Sequence, residues 1–163
     1  MPLTFTSVTE DDLPAILEIY NHYVLNSTAT FHEHLLNLDE MRQMLFFNDP
    51  RYGAFLIKQA EDVCGYCILA RFHEREAYRG TTTVTVYLNP AWLGQGIGRA
   101  ALDFLEQEAL KREFHVLMAI ICAENTASIK LFQRAGYEQC GYFRQVGRKF
   151  GRQLDVVYYQ KLI

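Results

Sequence analysis

The sequence predicts a mixed α/β fold, a central sheet flanked by helices. Three observations carry this expectation. Short β-branched or alternating runs recur along the chain and read as strands, amphipathic stretches of period 3.6 stand between several of them, and one strand feeds through a glycine-rich turn straight into a helix. With 163 residues, 50% of them hydrophobic, the chain can close one sizeable core, so a single domain over residues 1–163 is expected.

Leu3 to Val8 alternates apolar and polar residues, and Leu13, Ile16, Leu17, Tyr20 and Val24 then form a helical stripe. Pro14 lacks an N–H and belongs in the first turn, which makes Asp11 the expected cap ahead of Thr9. Asn26 to Asn37 reads as a wall or lid, and Leu38, Met41, Arg42 and Leu45 carry a second, weaker helix that Asn48-Asp49-Pro50 stops. Ala54 to Lys58 and Val63 to Ala70 have the spacing of a hairpin, for which antiparallel pairing is the simplest reading. After a charged loop, Arg71 to Gly80, the β-branched run Thr81 to Leu88 is the clearest strand in the chain. A helix follows from about Gly98 to Arg112, then the continuous apolar run Val116 to Ile121, whose pattern predicts burial on both faces. A shorter helix, Thr126 to Arg134, ends at Gly136, and the strands Tyr142 to Val146 and Asp155 to Leu162 flank a basic turn.

Sixteen Lys plus Arg against 19 Asp plus Glu leave a formal charge of -3, which gives no overall field to gather nucleic acid or an anionic membrane. No apolar run approaches the roughly 18 residues of a membrane span, and Met1 to Asp12 lacks the basic and apolar regions of a signal peptide, so a soluble cytoplasmic protein is expected. Four cysteines are too few for a disulfide scaffold. Cys64 and Cys67 have the spacing of a zinc or redox half-site, but on a strand residues three apart face opposite sides. His32 and His34 read as part of a polar loop, and no metal-ligand set is complete.

Chemistry concentrates after Leu88. The strand Val84 to Leu88, the turn Asn89 to Leu93, the run Gly94-Gln95-Gly96-Ile97-Gly98 and then Arg99 opening a helix present free backbone N–H groups and a positive dipole end to an anion. Glycine at alternate positions lets phosphate oxygens come close. A dinucleotide fingerprint would need glycine where Arg99 stands, and the lysine of an NTP-binding loop is absent.

The turn resembles the acetyl-CoA signature of the GNAT superfamily of N-acetyltransferases: Gln or Arg, x, x, Gly, x, Gly or Ala. It falls on Leu93, Gly94, Gln95, Gly96, Ile97 and Gly98, with Leu93 departing from the first position. About thirty residues on, Cys122 to Ser128 follow the apolar strand and open a helix, where the superfamily places an asparagine against the pantetheine arm; here that is Asn125, by itself an ordinary N-cap. Over nearly its whole length the chain resembles the phosphinothricin and methionine sulfoximine acetyltransferase group. The shared residues are Glu18-Ile19-Tyr20-Asn21-His22, Ser27-Thr28-Ala29-Thr30-Phe31, Tyr78-Arg79, Ser128-Ile129, Val146-Gly147, Lys149-Phe150-Gly151-Arg152 and Leu154-Asp155.

The resemblance implies a GNAT fold, a mostly antiparallel sheet with one parallel, splayed pair of strands. It implies acetyl-CoA as co-substrate, held by Val86, Tyr87, Leu88, Gly94, Gln95, Gly96, Ile97, Gly98, Arg99, Asn125 and Ser128, no metal, and a homodimer. It also implies a small amino-acid-like acceptor, walled by Phe31 and Tyr78 and clamped by Arg75 and Arg79 through its carboxylate. For catalysis it points to the backbone N–H near Leu88 as an oxyanion donor, and to Thr83 and Tyr87 as neighbours of the reacting groups. Two departures follow by position. Thr83 stands where relatives usually carry the basic Glu, and Phe132 where a tyrosine often protonates the thiolate, which leaves Glu33, His73, Glu74, Tyr87 or water to move protons. Two other readings stay open: a protein or peptide N-acetyltransferase, and a CoA-binding module that does not turn over.

Overall fold

Side-chain chemistry starts the first helix. Asp12 accepts hydrogen bonds from the Thr9 amide at 2.8 Å and the Thr9 hydroxyl at 2.9 Å, closing a short 3-10 turn that leads into α1 (Leu13–Asn26). Thr9 is therefore the cap of this turn, with Asp12 reaching back to it from three residues on; Asp12 also precedes α1 but caps it with no side-chain hydrogen bond, and Asp11 caps neither. α2 (Leu38–Leu45) opens on a reciprocal pair: Asn37 accepts from the Glu40 amide at 2.9 Å while the Glu40 carboxylate accepts from the Asn37 amide at 3.0 Å.

The computed structural model describes Met1 to Ile163. Its strands are β1 (Leu3–Ser7), β2 (Gly53–Gln59), β3 (Asp62–Arg71), β4 (Thr81–Leu88), β5 (Val116–Cys122), β6 (Glu138–Lys149) and β7 (Arg152–Leu162), forming one sheet of order β1-β2-β3-β4-β5-β7-β6. Every neighbouring pair is antiparallel except β4 and β5. That parallel pair is joined only over Thr81–Thr83 and Val116–Met118, after which the two strands part and leave a gap in the sheet.

Two layers cover the sheet unequally. α3 (Ile97–Lys111) and α4 (Thr126–Arg134) lie on one face, where Leu102, Leu105 and Phe132 pack with Phe55, Leu69, Val84 and Leu117. On the other face α1 and α2 set Ile16, Tyr20, Val24 and Met41 against Leu56, Tyr66 and Ile68 of β2 and β3. This second cover does not extend over β5. Leu117, Ala119 and Ile121 are buried, but Ile120 points to the open side and is 51% exposed, so the expected burial on both faces fails there.

Irregularities account for the other departures from the sequence reading. Cys64 and Cys67 belong to one core cluster, not to opposite faces, because the β2–β3 register slips between Ile57 and Lys58 and leaves Cys64 opposite no partner. β6 begins at Glu138, well before Tyr142, and shifts register at Gln139/Gly141 and again at Phe143/Gly147. Asp155 holds the second bulge, taking the Gln145 amide at 2.7 Å and the Tyr142 hydroxyl. The turn between β6 and β7 has positive φ at Phe150 (52°) and Gly151 (71°), as a tight hairpin requires. Lys149 is no part of a solvated basic turn. It is 1% exposed and donates to the carbonyls of Ser27 at 2.6 Å and Thr30 at 2.7 Å, with Tyr23 O at 3.5 Å.

Candidate active site

Strand alternation assigns each residue of β4 a side. Thr82 and Val84 are buried toward α3, with Val86 and Leu88 packed against the same core, whereas Tyr87 packs into the α1 cluster and period two puts Thr83 and Thr85 with it. The ladder fixes the backbone as well. Asn89 N–H donates to Cys64 O at 2.8 Å, which makes Leu88 and Gly65 a non-hydrogen-bonded pair, so the N–H and C=O of Leu88 point away from β3 into the gap. Val86 faces the same way. The Tyr23 hydroxyl donates to Leu88 O at 2.6 Å from the α1 side.

A cleft of about 620 Å³ runs through this gap. Between the strands it is lined by Val84 to Leu88 and Ala119 to Cys122. Its α3–α4 wall includes Gly94, Gly96, Ile97, Gly98, Arg99, Asn125 and Ser128, and its α1 wall consists of Tyr23, Ser27 and Ala29. Two ligands can therefore meet through the sheet, one from each face.

The α3 wall suits an anion. Gly94 and Gly96 have φ of +75° and +80°, and at either one a Cβ would project into open space with nothing within 4 Å. Gly96 caps α3 in the left-handed conformation and supplies no side-chain acceptor, so the first amides of the helix stay available. Arg99 is held beside them, donating to Asp103 and to Arg134 O, each at 2.9 Å. Gly98 serves another purpose: a Cβ there would come within 3.0 Å of Leu131 Cδ2, so its smallness lets α4 approach α3. Asn125 accepts the Ser128 amide at 3.2 Å as an N-cap while also facing the cleft. Gln95 does not line it.

Of the residues expected near the chemistry, Tyr87 and Leu88 line the cleft and Thr83 does not. Thr83 lies one turn of the pleat deeper than Thr85, and its hydroxyl donates to Ala70 O at 3.3 Å. Burial pushes the Tyr87 phenol well up, and its hydroxyl donates to Ala29 O at 3.1 Å. Phe132 lines the cleft and packs edge-on against Tyr137, whose buried hydroxyl has no partner. The acceptor residues expected from sequence lie outside the lining. Phe31 covers Gly147, Tyr78 packs on Phe72 and His73, and Arg75 and Arg79 flank the Glu76–Tyr78 turn before β4. The residues missed are Tyr23, Ser27 and Ala29, together with a bonded group of Tyr20, Thr30 and His32 behind them.

Glu124, in the turn before α4, ties this wall down. Arg152 donates to it twice, at 2.8 and 3.0 Å, and Thr28 once at 2.7 Å. The Arg152 guanidinium and then the Thr28 hydroxyl hold its carboxyl down to about 2. A depressed carboxyl contributes stability above its ordinary value of 4.5 and loses it as pH falls toward the folded value. Glu124→Gln should therefore melt below wild type at pH 7, and the difference should close between pH 4.5 and 2. Thermal scans across that window check this, and an equal difference at pH 2 would assign the effect elsewhere.

Residues 5–158 match the acetyltransferase (GNAT) domain family. The chain is 38% identical over 152 residues to an L-methionine sulfoximine/L-methionine sulfone acetyltransferase of Pseudomonas aeruginosa, covering 91% of this chain and 88% of that protein. Its structure is similar to that of a phosphinothricin acetyltransferase from Sinorhizobium meliloti in complex with acetyl-CoA, with a TM-score of 0.93 and 31% identity over 100% of this chain and 89% of the other. It is also similar to a ribosomal-protein-alanine N-acetyltransferase from Brucella melitensis, with a TM-score of 0.89 and 37% identity over 98% and 99%. A split parallel pair, a helix beside it that starts without a side-chain cap and a match across residues 5–158 lead to one conclusion: the chain belongs to the GNAT acetyltransferases.

Proposed function

We propose that this chain, acting as one domain, transfers the acetyl group of acetyl-CoA to the primary amine of a small amino-acid-like acceptor of the phosphinothricin, methionine sulfoximine or methionine sulfone type. The observation that carries the proposal is the cleft through the sheet, with free helix amides on one face and an aromatic, hydroxyl-rich wall on the other. The names of the relatives support the choice of acceptor.

In this reading the first amides of α3, with Arg99, bind the pyrophosphate, and Asn125 and Ser128 guide the pantetheine arm. The Leu88 N–H, already aimed into the gap, donates to the thioester carbonyl as its oxygen gains charge. Tyr23, Ala29 and Tyr87 hold the amine at the other mouth, and much of the rate comes from that positioning. Thiol release from acetyl-CoA, measured against a panel of free amino acids, tests the proposal; no release with any of them would leave a CoA-binding module. The Brucella melitensis relative favours a second reading, acetylation of a protein or peptide, for which peptides would outcompete every free amino acid.

Arg75 and Arg79 remain the proposed clamp for the acceptor carboxylate, with Phe31 and Tyr78 as its walls and Thr83 as a water-holding neighbour. Arg79→Ala should raise the acceptor KM about tenfold and leave CoA affinity unchanged. Equal acetylation of decarboxylated analogues would remove the clamp. We further propose a cytoplasmic homodimer. The four cysteines are free, as a reducing compartment would keep them, and Ile120 and Phe143 stand exposed on the side of the sheet that α1 and α2 leave open. Sedimentation at the monomer mass of 18.9 kDa would rule the dimer out.

A further inference from the structure

An amine with an ordinary pKa of about 10 reaches the cleft as ammonium and must lose a proton before its nitrogen can attack. Thr83 offers no carboxylate, but the α1 side of the cleft offers a set of hydroxyls. Tyr87 lines the cleft, its hydroxyl donates to Ala29 O at 3.1 Å beside Thr30, and its ring meets that of Tyr20 edge-on at 5.3 Å, with the Thr30 hydroxyl favouring its ionised form. Thr30 Oγ1 shares a hydrogen bond of 2.5 Å with the Tyr20 hydroxyl, and Tyr20 is bonded in turn to Nδ1 of His32. Tyr20 and Thr30 are 3% and 7% exposed, whereas His32 is only half-buried and meets solvent.

We propose that Tyr87, Thr30 and Tyr20 form a proton wire and that His32, at its outer end, takes the proton of the acceptor ammonium. This rests on the acetyl transfer proposed above. The Tyr87 hydroxyl turns from Ala29 O to the neighbouring Thr30; the ammonium gives a proton to the Tyr87 oxygen as Tyr87 passes its own to Thr30, Thr30 to Tyr20, and Tyr20 to Nδ1. The N–H electron pair stays on the amine as the lone pair that attacks the thioester carbonyl. His32, now a cation, releases the proton on Nε2 to water, and exchange with solvent that reprotonates Nε2 and removes the Nδ1 proton restores the starting tautomer.

The surroundings leave His32 as the group that accepts charge. Burial raises the phenols of Tyr20, Tyr23, Tyr66 and Tyr87, so they relay protons and do not hold an anion at neutral pH. Lys149 of β6 reaches the Thr30 carbonyl at 2.7 Å, and the Glu33 carboxylate acts on it through space. His34 stacks edge-on against His32 and stands 3.8 Å from Glu40 of α2. Histidine is the side chain that ordinarily changes charge between pH 5 and 8.

The test compares two acceptors that share side chain and carboxylate: methionine sulfone, an ammonium at pH 7, and its α-aminooxy analogue, one oxygen longer, whose nitrogen is already neutral there. His32→Gln keeps an acceptor oxygen for Tyr20 but has no basic nitrogen. It should lower kcat for methionine sulfone about tenfold at pH 7 and move the rising limb of the pH profile upward, with the aminooxy compound affected at least about fivefold less. Tyr20→Phe should behave the same way, and CoA affinity should hold in both. Equal slowing of the two acceptors would mean a structural role and overturn the wire, as would no slowing of either. Wild-type protein that acetylates neither compound overturns the proposed function, and the wire with it.

Discussion

Lys149→Ala is expected to lose about 3 kcal/mol of stability, a fall of more than about a hundredfold in the folding equilibrium. The ammonium group sits at the C-terminal end of α1, where the last carbonyls of a helix lack partners and its dipole favours a cation. It serves Ser27 O and Thr30 O at 2.6 and 2.7 Å with almost no access to water, and burial lowers its pKa. Truncation leaves those carbonyls unpaired and opens a cavity where the stem was. Lys149→Met keeps most of the volume and removes only the donor, so it should recover a minor part of the loss. Urea unfolding of the three proteins gives the values; an alanine variant within about 1 kcal/mol of wild type would show that the carbonyls find water instead. Since Ser27 and Ala29 line the cleft, the acceptor KM should rise in both variants before stability fails.

Gly96→Val is expected to weaken CoA binding about a hundredfold, or about 2.7 kcal/mol. At φ of +80° a β-branched residue is an outlier, and the valine must either strain the turn or rotate it. Rotation redirects the first amides of α3, and a retained turn puts two methyl groups where phosphate oxygens must come. Each charged hydrogen bond lost is worth about 1.5–3 kcal/mol, so one or two suffice for the effect. Gly98→Ala separates the causes, because its Cβ meets Leu131 and should reduce stability more than affinity. Calorimetry on folded protein decides. Unchanged affinity in Gly96→Val would place the anion elsewhere.

Features set by neighbouring residues were legible in the sequence. The run Thr81–Leu88 is a strand because β-branched residues fit a half-buried pleat, and Thr126–Arg134 is bounded by an asparagine cap and the left-handed Gly136, so both were read to the residue. The glycine turn was equally readable, since φ above zero and side-chain absence are local demands. What sequence hid depends on distant partners. Lys149 looks like a turn lysine until β6 is laid against α1, more than a hundred positions earlier. The Leu88 amide points into the gap by virtue of ladder phase, which the Asn89–Cys64 hydrogen bond sets from the neighbouring strand. Tyr23 continues the row of Ile16 and Tyr20 along α1, but only the fold shows that this edge of the helix faces the gap between the strands. His32 reads as a loop residue, and only the fold brings it to Tyr20.

The parting of β4 and β5 gives this sheet four edges where a continuous one has two. Beyond Thr83 and Met118 each strand carries backbone donors and acceptors that no partner strand takes, the condition that elsewhere invites a foreign strand and aggregation. Here the invitation is internal: α1 walls one side and the α3–α4 layer the other, so a full strand from another molecule cannot slide in alongside. A narrow chain bearing amides can, and to the sheet it is simply the missing rung of a ladder.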